Sequence, residues 1–288
     1  MRHSSITLFC RVTPLLSLIL IFLTSGMGIA QNSPLIFWEL PQERVNPMLL
    51  NVPDSDNQRY IRLQRYFSAL HCDPKLMEEI SIKKHAGRNL ACTLSGTDAA
   101  EILIVARYEH RTRLNLETQG WPEALMLPLL YNALQAQPRK HTFVFEALFG
   151  NAGERNFIDA LRNGSHRSPI AIVVLDTLGL AEPRFYTVPA ARLSKSGRKR
   201  SAINKLLESD AAYLARLQGI PPQSVQDPPT EEIENSILFE ADKIPSILIY
   251  SLSNKPVLPS AFHQEFEFLA YFLCKIDGTL KSVGDPAN

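Results

Sequence analysis

The sequence has almost no charge of one sign to spare, with 30 Lys and Arg against 29 Asp and Glu. So balanced a chain offers no basic stripe to a phosphate backbone and no polybasic face to anionic lipid, which excludes nucleic acid as a partner on charge grounds. Cysteine is scarce: four residues in 288 are too few for a disulfide scaffold. Glycine (13) is outnumbered by proline (20), a balance that favours fixed loops over flexible linkers. The sequence contains no Walker phosphate loop, no Gly-x-Gly-x-x-Gly, no Gly-x-Ser-x-Gly elbow, no His-Glu-x-x-His and no Cys-x-x-Cys. The common nucleotide-binding, serine-hydrolase and zincin chemistries therefore lack their signatures. There is no internal repeat and no low-complexity segment.

What is present is an ordinary globular mixture, 45% hydrophobic and 20% charged. The first thirty residues read as a secretory signal. Arg2, His3 and Arg11 precede an apolar run from Val12 to Leu23, and Gly28-Ile29-Ala30 supplies a small-x-small cleavage site before Gln31. An uncleaved anchor is the competing reading, but the run is shorter than the roughly 20 residues of a span and contains Pro14. The expected product is a secreted or periplasmic monomer, residues 31–288, with no membrane attachment after cleavage. Cys10 leaves with the signal. Of Cys72, Cys92 and Cys274, the first two either form a disulfide, since they flank one early segment, or remain buried thiols.

Residues 31–57, rich in Pro, Asn and Asp, read as an extended lead-in, and 58–288 as one domain. Strand patterns fall at Leu90–Ser95, Ile102–Ala106, His141–Phe145, Ile170–Leu175 and Ile244–Tyr250. Helical periods cover Gln58–Cys72, Ala124–Ala136, Glu154–Leu161, Ser201–Leu217 and Ala261–Cys274. Pro128 is tolerable in its helix only if it falls in the first turn. Alternating strands and helices, with strands apolar on both faces, predict an α/β fold: a three-layer α/β/α sandwich around a mainly parallel, mixed sheet.

The order of segments resembles the co-catalytic zinc aminopeptidases of metallopeptidase family 28. Ile102–Ala106 runs into Arg107-Tyr108-Glu109, where the family has His-x-Asp. Gly120-Trp121-Pro122-Glu123 opens a helix, as its Gly-x-x-Asp does. Phe143-Val144-Phe145-Glu146-Ala147 leads to Leu148-Phe149-Gly150 and Gly153, where the family has Glu-Glu and its glycines. Asp176-Thr177-Leu178-Gly179 matches Asp-x-x-Gly, and Lys243-Ile244-Pro245 precedes the last strand. The match spans roughly Gln58 to Cys274 and implies a zinc-exopeptidase-like fold.

The resemblance also implies what the site has lost. The family's first ligand His falls on Arg107, the bridging Asp on Glu123, the general-base Glu on Leu148, the next ligand Glu on Phe149, the ligand Asp on Asp176 and the last His near Ser236. Leu148 cannot accept a proton and Phe149 cannot ligate. The Arg107 guanidinium is permanently charged and presents only donors. A fixed cation opposes a metal dication, so no cofactor is expected although the family carries zinc. The chain then reads as a secreted pseudopeptidase, a binding or assembly module that takes a peptide, protein or small ligand in a cleft at the strand C-termini. Arg107 is expected to stand in for the metal charge by pairing with Asp176, Glu123 or both. The competing reading is an active metal-dependent exopeptidase or amidohydrolase, with one metal held by Glu123, Asp176 and His110.

Bland readings accompany each residue. Asp176 caps a turn, Glu123 is a helix N-terminal acid, and Glu109 and His110 are loop residues. Trp121 either lines the cleft or packs beneath a loop. The Lys195–Arg200 cluster reads as a solvated loop. Asn163-Gly164-Ser165 is a glycosylation sequon.

Overall fold

The computed structural model describes residues 40–82, 87–109, 120–164, 166, 169–189, 193, 195, 197–221, 237, 244–253 and 256–281. They form a seven-stranded mixed sheet flanked by helices on both faces. The strands are β1 (Met77–Ser81), β2 (Arg88–Leu94), β3 (Glu101–Arg107), β4 (Thr142–Leu148), β5 (Pro169–Asp176), β6 (Arg184–Tyr186) and β7 (Ser246–Tyr250). Their order across the sheet is β1-β2-β4-β3-β5-β7-β6. The four central strands, β4, β3, β5 and β7, are parallel. Antiparallel β1, β2 and β6 complete the two sides.

The apolar runs read from the sequence are the central strands, and each is buried on both faces. Strands of that kind require a cover on either side. One face packs against α1 (Gln42–Leu50), α2 (Asp56–Ala69), α3 (Trp121–Gln135), α5 (Ser201–Leu217) and α6 (Pro259–Thr279). The other packs against Phe157 and Ile158 of α4 (Gly150–Arg162), together with Val188, Leu193 and Ile237. Among the described residues no helix is long and apolar enough to cross a membrane.

Two expectations need correction. The segment read as an extended lead-in contains α1, despite Pro47 within it. Val45 and Leu49, four residues apart on one face, are buried, and the Met48 carbonyl accepts the Trp121 indole N–H at 2.9 Å. Burial across the domain thus outweighs weak local propensity. Pro128 lies in the interior of α3 rather than its first turn. Its missing N–H and ring clash cost about 3 kcal/mol, but every α3 residue from Trp121 to Tyr131 is buried.

Cys72 and Cys92 form a disulfide that ties the end of α2 to β2, with Cα atoms 6.4 Å apart. Cys274 is free, and burial raises its thiol pKa to about 11.

Candidate functional site

Parallel pairing fixes which residues meet at the C-terminal edge of the sheet. Arg107, the last residue of β3, pairs in register with Leu148, the last of β4. On its other side Ala106 pairs with Leu175, so Asp176 ends β5 at the same level. Switch points of this kind are where open α/β sheets place ligands.

The Arg107 side chain is 16% exposed and engages three partners. Nη2 donates to Asp176 Oδ2 at 3.0 Å. Nη1 lies 3.3 Å from Glu154 Oε2 and donates to Asn151 Oδ1 at 3.2 Å. Burial alone would lower the guanidinium pKa, but Asp176 and Glu154 together, with Glu123 more weakly, raise it. Asp176 also accepts the Thr177 hydroxyl at 3.2 Å. Thr177 itself has φ +54°, sparsely populated for a β-branched residue.

Glu154 holds two things at once. While Oε2 faces Arg107, Oε1 accepts the Ile237 backbone N–H at 3.0 Å. Ile237 is buried and, with Val105, Leu148, Val174 and Leu248, lines the small pocket around Arg107, Glu154 and Asp176. Between the described residues that pocket has room for about one water molecule.

Glu123, in the first turn of α3, is buried and turned to the loop after β5, where Oε1 accepts Leu178 N–H at 3.2 Å. The next amide, Gly179, donates to Glu265 Oε2, and Leu180 donates to the Ser251 hydroxyl at 3.1 Å. Three successive N–H groups are thus taken by side chains from α3, α6 and the end of β7. Burial lifts the Glu265 carboxyl to about 8, with Glu123 adding to the rise and the Ser251 and Gly179 bonds opposing it. The folded state therefore keeps a proton that the unfolded chain releases above its ordinary value of 4.5. This linkage lowers stability as pH rises from 4.5 to about 8, above which its penalty is complete. Glu265→Gln should gain stability relative to the parent across that range, with more gained at the alkaline end, as urea unfolding at several pH values would read.

Leu148 and Phe149 diverge. Leu148 is buried in the core on the α4 side and lines the pocket. Phe149 packs on the opposite core, its ring 5.9 Å from that of Tyr108 and directly over Gly87, where a Cβ would collide with it. The Phe149 N–H donates to Asn89 Oδ1 at 3.0 Å. Glu109 lays its carboxylate over Gly150, the first residue of α4, whose φ is +49°. Gly150→Ala would meet both that carboxylate and the left-handed backbone, so it should cost about 1–2 kcal/mol in thermal unfolding.

The predicted site residues thus separate. Arg107 and Asp176 meet, Leu148 borders them, and Glu123 and Phe149 face elsewhere. Trp121 does not line the pocket: at the start of α3 it is fully buried against α1 and α2, 6.5 Å from the Tyr66 ring. Packing prevailed because an indole buried there satisfies its N–H on Met48. His110 and Ser236 lie outside the described residues. Sequence reading missed Asn151, Glu154, Glu265 and Asn89. Glu154 and Glu265 were signalled as lone acids on apolar helical faces, beside Phe157 and Ile158 and beside Phe262 and Phe266.

The residues do not fit a zinc pair. A donor-only cation and two hydrocarbon side chains occupy the positions at which the resemblance requires a nitrogen ligand, a base and a carboxylate ligand.

No family model matches the sequence, and no curated protein matches it. Solved structures do resemble it. The Legionella pneumophila LapA aminopeptidase superposes with a TM-score of 0.59 at 10% identity, covering 89% of this chain and 79% of that one. An Acidobacteriales bacterium glutaminyl cyclase gives 0.62 at 13% identity, covering 87% and 98%. The Bacillus subtilis zinc aminopeptidase BSAP gives 0.51 at 11% identity, covering 70% and 52%. The fold of this chain is therefore that shared by zinc aminopeptidases and glutaminyl cyclases, a zinc-exopeptidase-like α/β/α sandwich.

Proposed function

We propose that the chain is a secreted pseudopeptidase, a binding or assembly module on an aminopeptidase-like fold that has given up metal-dependent hydrolysis. The observation that carries this reading is the Arg107 guanidinium between Asp176 and Glu154. Its fixed positive charge offsets part of the negative charge of the carboxylates that would otherwise attract a dication, and it repels one. Water at this position has no metal to lower its pKa and no base at Leu148 to take its proton. The partner is a peptide, protein or small ligand at the strand C-termini. The disulfide agrees with an oxidising compartment and so with export.

The test combines metal content with turnover. Protein dialysed at neutral pH should carry far less than one equivalent of zinc. Aminoacyl-nitroanilides and N-terminal glutaminyl peptides should react no faster than in buffer. One equivalent of zinc surviving dialysis, or turnover abolished by Asp176→Ala, would overturn the proposal.

A further inference from the structure

A second ionisable cluster lies on the α4 side of the sheet, apart from the Arg107 pocket. His166, in the connection from α4 to β5, stands between two carboxylates. Its Nδ1 is 3.5 Å from Glu101 Oε2 at the start of β3, and its Nε2 is 3.8 Å from Glu146 Oε2 on β4. The ring packs edge-on against Phe157 of α4 at 5.4 Å. Glu146 is 1% exposed, and the His166 and Glu101 side chains are 14% and 12% exposed. Among the described residues, the charged group acting on His166 besides these two acids is Glu78 of β1, which also acts on Glu146.

Glu146 is wired further. Its Oε1 accepts from Asn89 Nδ2 at 3.1 Å, and the same amide group donates to the Gly153 carbonyl at 3.0 Å. The Asn89 oxygen takes the Phe149 N–H. One side chain of β2 therefore holds both ends of the turn from Phe149 to Gly153, which begins α4 and carries Asn151, next to Glu154. Those two residues grip Arg107. A continuous chain of contacts runs from the His166 ring through Glu146 and Asn89 to the turn beside the pocket.

We infer that His166 is a proton-operated latch for the first turn of α4. Protonated, it stands between Glu101 and Glu146 with a single charge that offsets one carboxylate, while Glu146 holds its own proton below about 7, so the buried cluster carries no unbalanced charge and His166 is held to the sheet. When it loses its proton, two carboxylates remain at a buried position with no cation between them, and the cost of that arrangement is relieved by loosening the turn that Asn89 holds. The thermodynamic sign is consistent. Burial lowers the His166 pKa, but Glu101 and Glu146 raise it more, so its net shift is upward. Burial lifts Glu146 to about 7, with His166 and Asn89 opposing the rise. Both groups hold protons in the folded state that the unfolded chain gives up. The stability contributed by these two protons is therefore fully present below the unfolded values of 4.5 for Glu and 6.5 for His, and is lost as pH rises through the folded values. The predicted behaviour is a site border that is rigid in mildly acidic surroundings and mobile in alkaline ones, whatever ligand the pocket takes.

Hydrogen exchange read by mass spectrometry on the full chain, corrected for intrinsic rates, tests this. Peptides covering Phe149–Phe157 in the parent should lose about tenfold protection between about pH 5.5 and about pH 8.5. In Glu146→Gln, which keeps an acceptor for Asn89 but has no charge to strand, the loss should shrink to within about twofold. The His166 ring, followed by NMR, should titrate above 6.5. A ring titrating at or below 6.5, equal parental protection at the two pH values, or an undiminished loss in Glu146→Gln would each overturn the latch.

Discussion

Arg107→Ala should lower the free energy of unfolding by about 3–5 kcal/mol, the range for removing one partner of a buried ion pair. The reason lies less in the attraction lost than in the charges left behind. Glu154 is 6% exposed and Asp176 26%, so neither recovers full hydration once the guanidinium is gone. Glu154 must also keep its other oxygen on the Ile237 amide, which prevents it from turning to solvent without stranding that N–H. Arg107→Lys should retain part of the stability, because one ammonium meets Asp176 or Glu154 but does not reproduce the three contacts of a planar fork. The informative variant is Arg107→Met combined with Glu154→Gln and Asp176→Asn. Neutralising all three should recover most of the loss, since a group of well-packed neutral side chains can match a buried ion pair. Urea midpoints at neutral pH would decide. Arg107→Ala within about 1 kcal/mol of the parent would mean that the pair behaves as a solvated surface bridge.

Loss of the Cys72–Cys92 disulfide should cost about 3 kcal/mol, the expectation for a closed loop of this length; the two residues are 20 apart. In a chain of this size that corresponds to a fall in Tm of roughly 6–12 °C. The double substitution Cys72→Ser and Cys92→Ser measures it directly. Reduction adds a kinetic signature. The two cysteines are 3% and 0% exposed, so a thiol reductant reaches the bond only after α2 lifts from β2. Reduction under native conditions should therefore be slow and should accelerate with low urea, while Cys274 reacts independently of it. A reduced protein as stable as the oxidised one would place the constraint in a region already structured when unfolded.

Much of the fold was legible because its signals are local. The runs Ile102–Ala106 and Ile170–Leu175 could be little else than strands covered on both faces, and they are the two at the middle of the sheet. The pieces that escaped depend on distant partners. β1 reads Met-Glu-Glu-Ile-Ser and is a strand because β2 offers it a ladder. β6 is three residues long and exists only against β7. α1 needs the floor that α3 and α6 provide. At the site, residues at strand ends could be placed because strand ends share an edge, and so Arg107 and Asp176 come together. The direction of a side chain after the strand was not legible. Leu148 and Phe149 are adjacent, and the alternation of an extended chain sends them to opposite faces, but the space for the ring is left by Gly87, which is distant in sequence. Glu123 was legible as an acid in the first turn of a helix, but not as the acceptor for the Leu178 amide, because that contact depends on how the loop after β5 folds.

That divergence of Leu148 and Phe149 limits which changes evolution or engineering can make. A route from this sequence to a metal-ligating one must place carboxylates at both positions and a ligand at Arg107. Leu148→Glu puts an acid into an apolar core, and Phe149→Glu empties the space over Gly87, both before any ion is present to compensate. Arg107→His alone leaves Glu154 and Asp176 without their permanent cation. Each single step is a loss, and the gain arrives only after the last. The present arrangement is thus mutually dependent: each of the three substitutions made alone is expected to cost stability, and a metal-ligating set would have to be introduced with all three positions changed together.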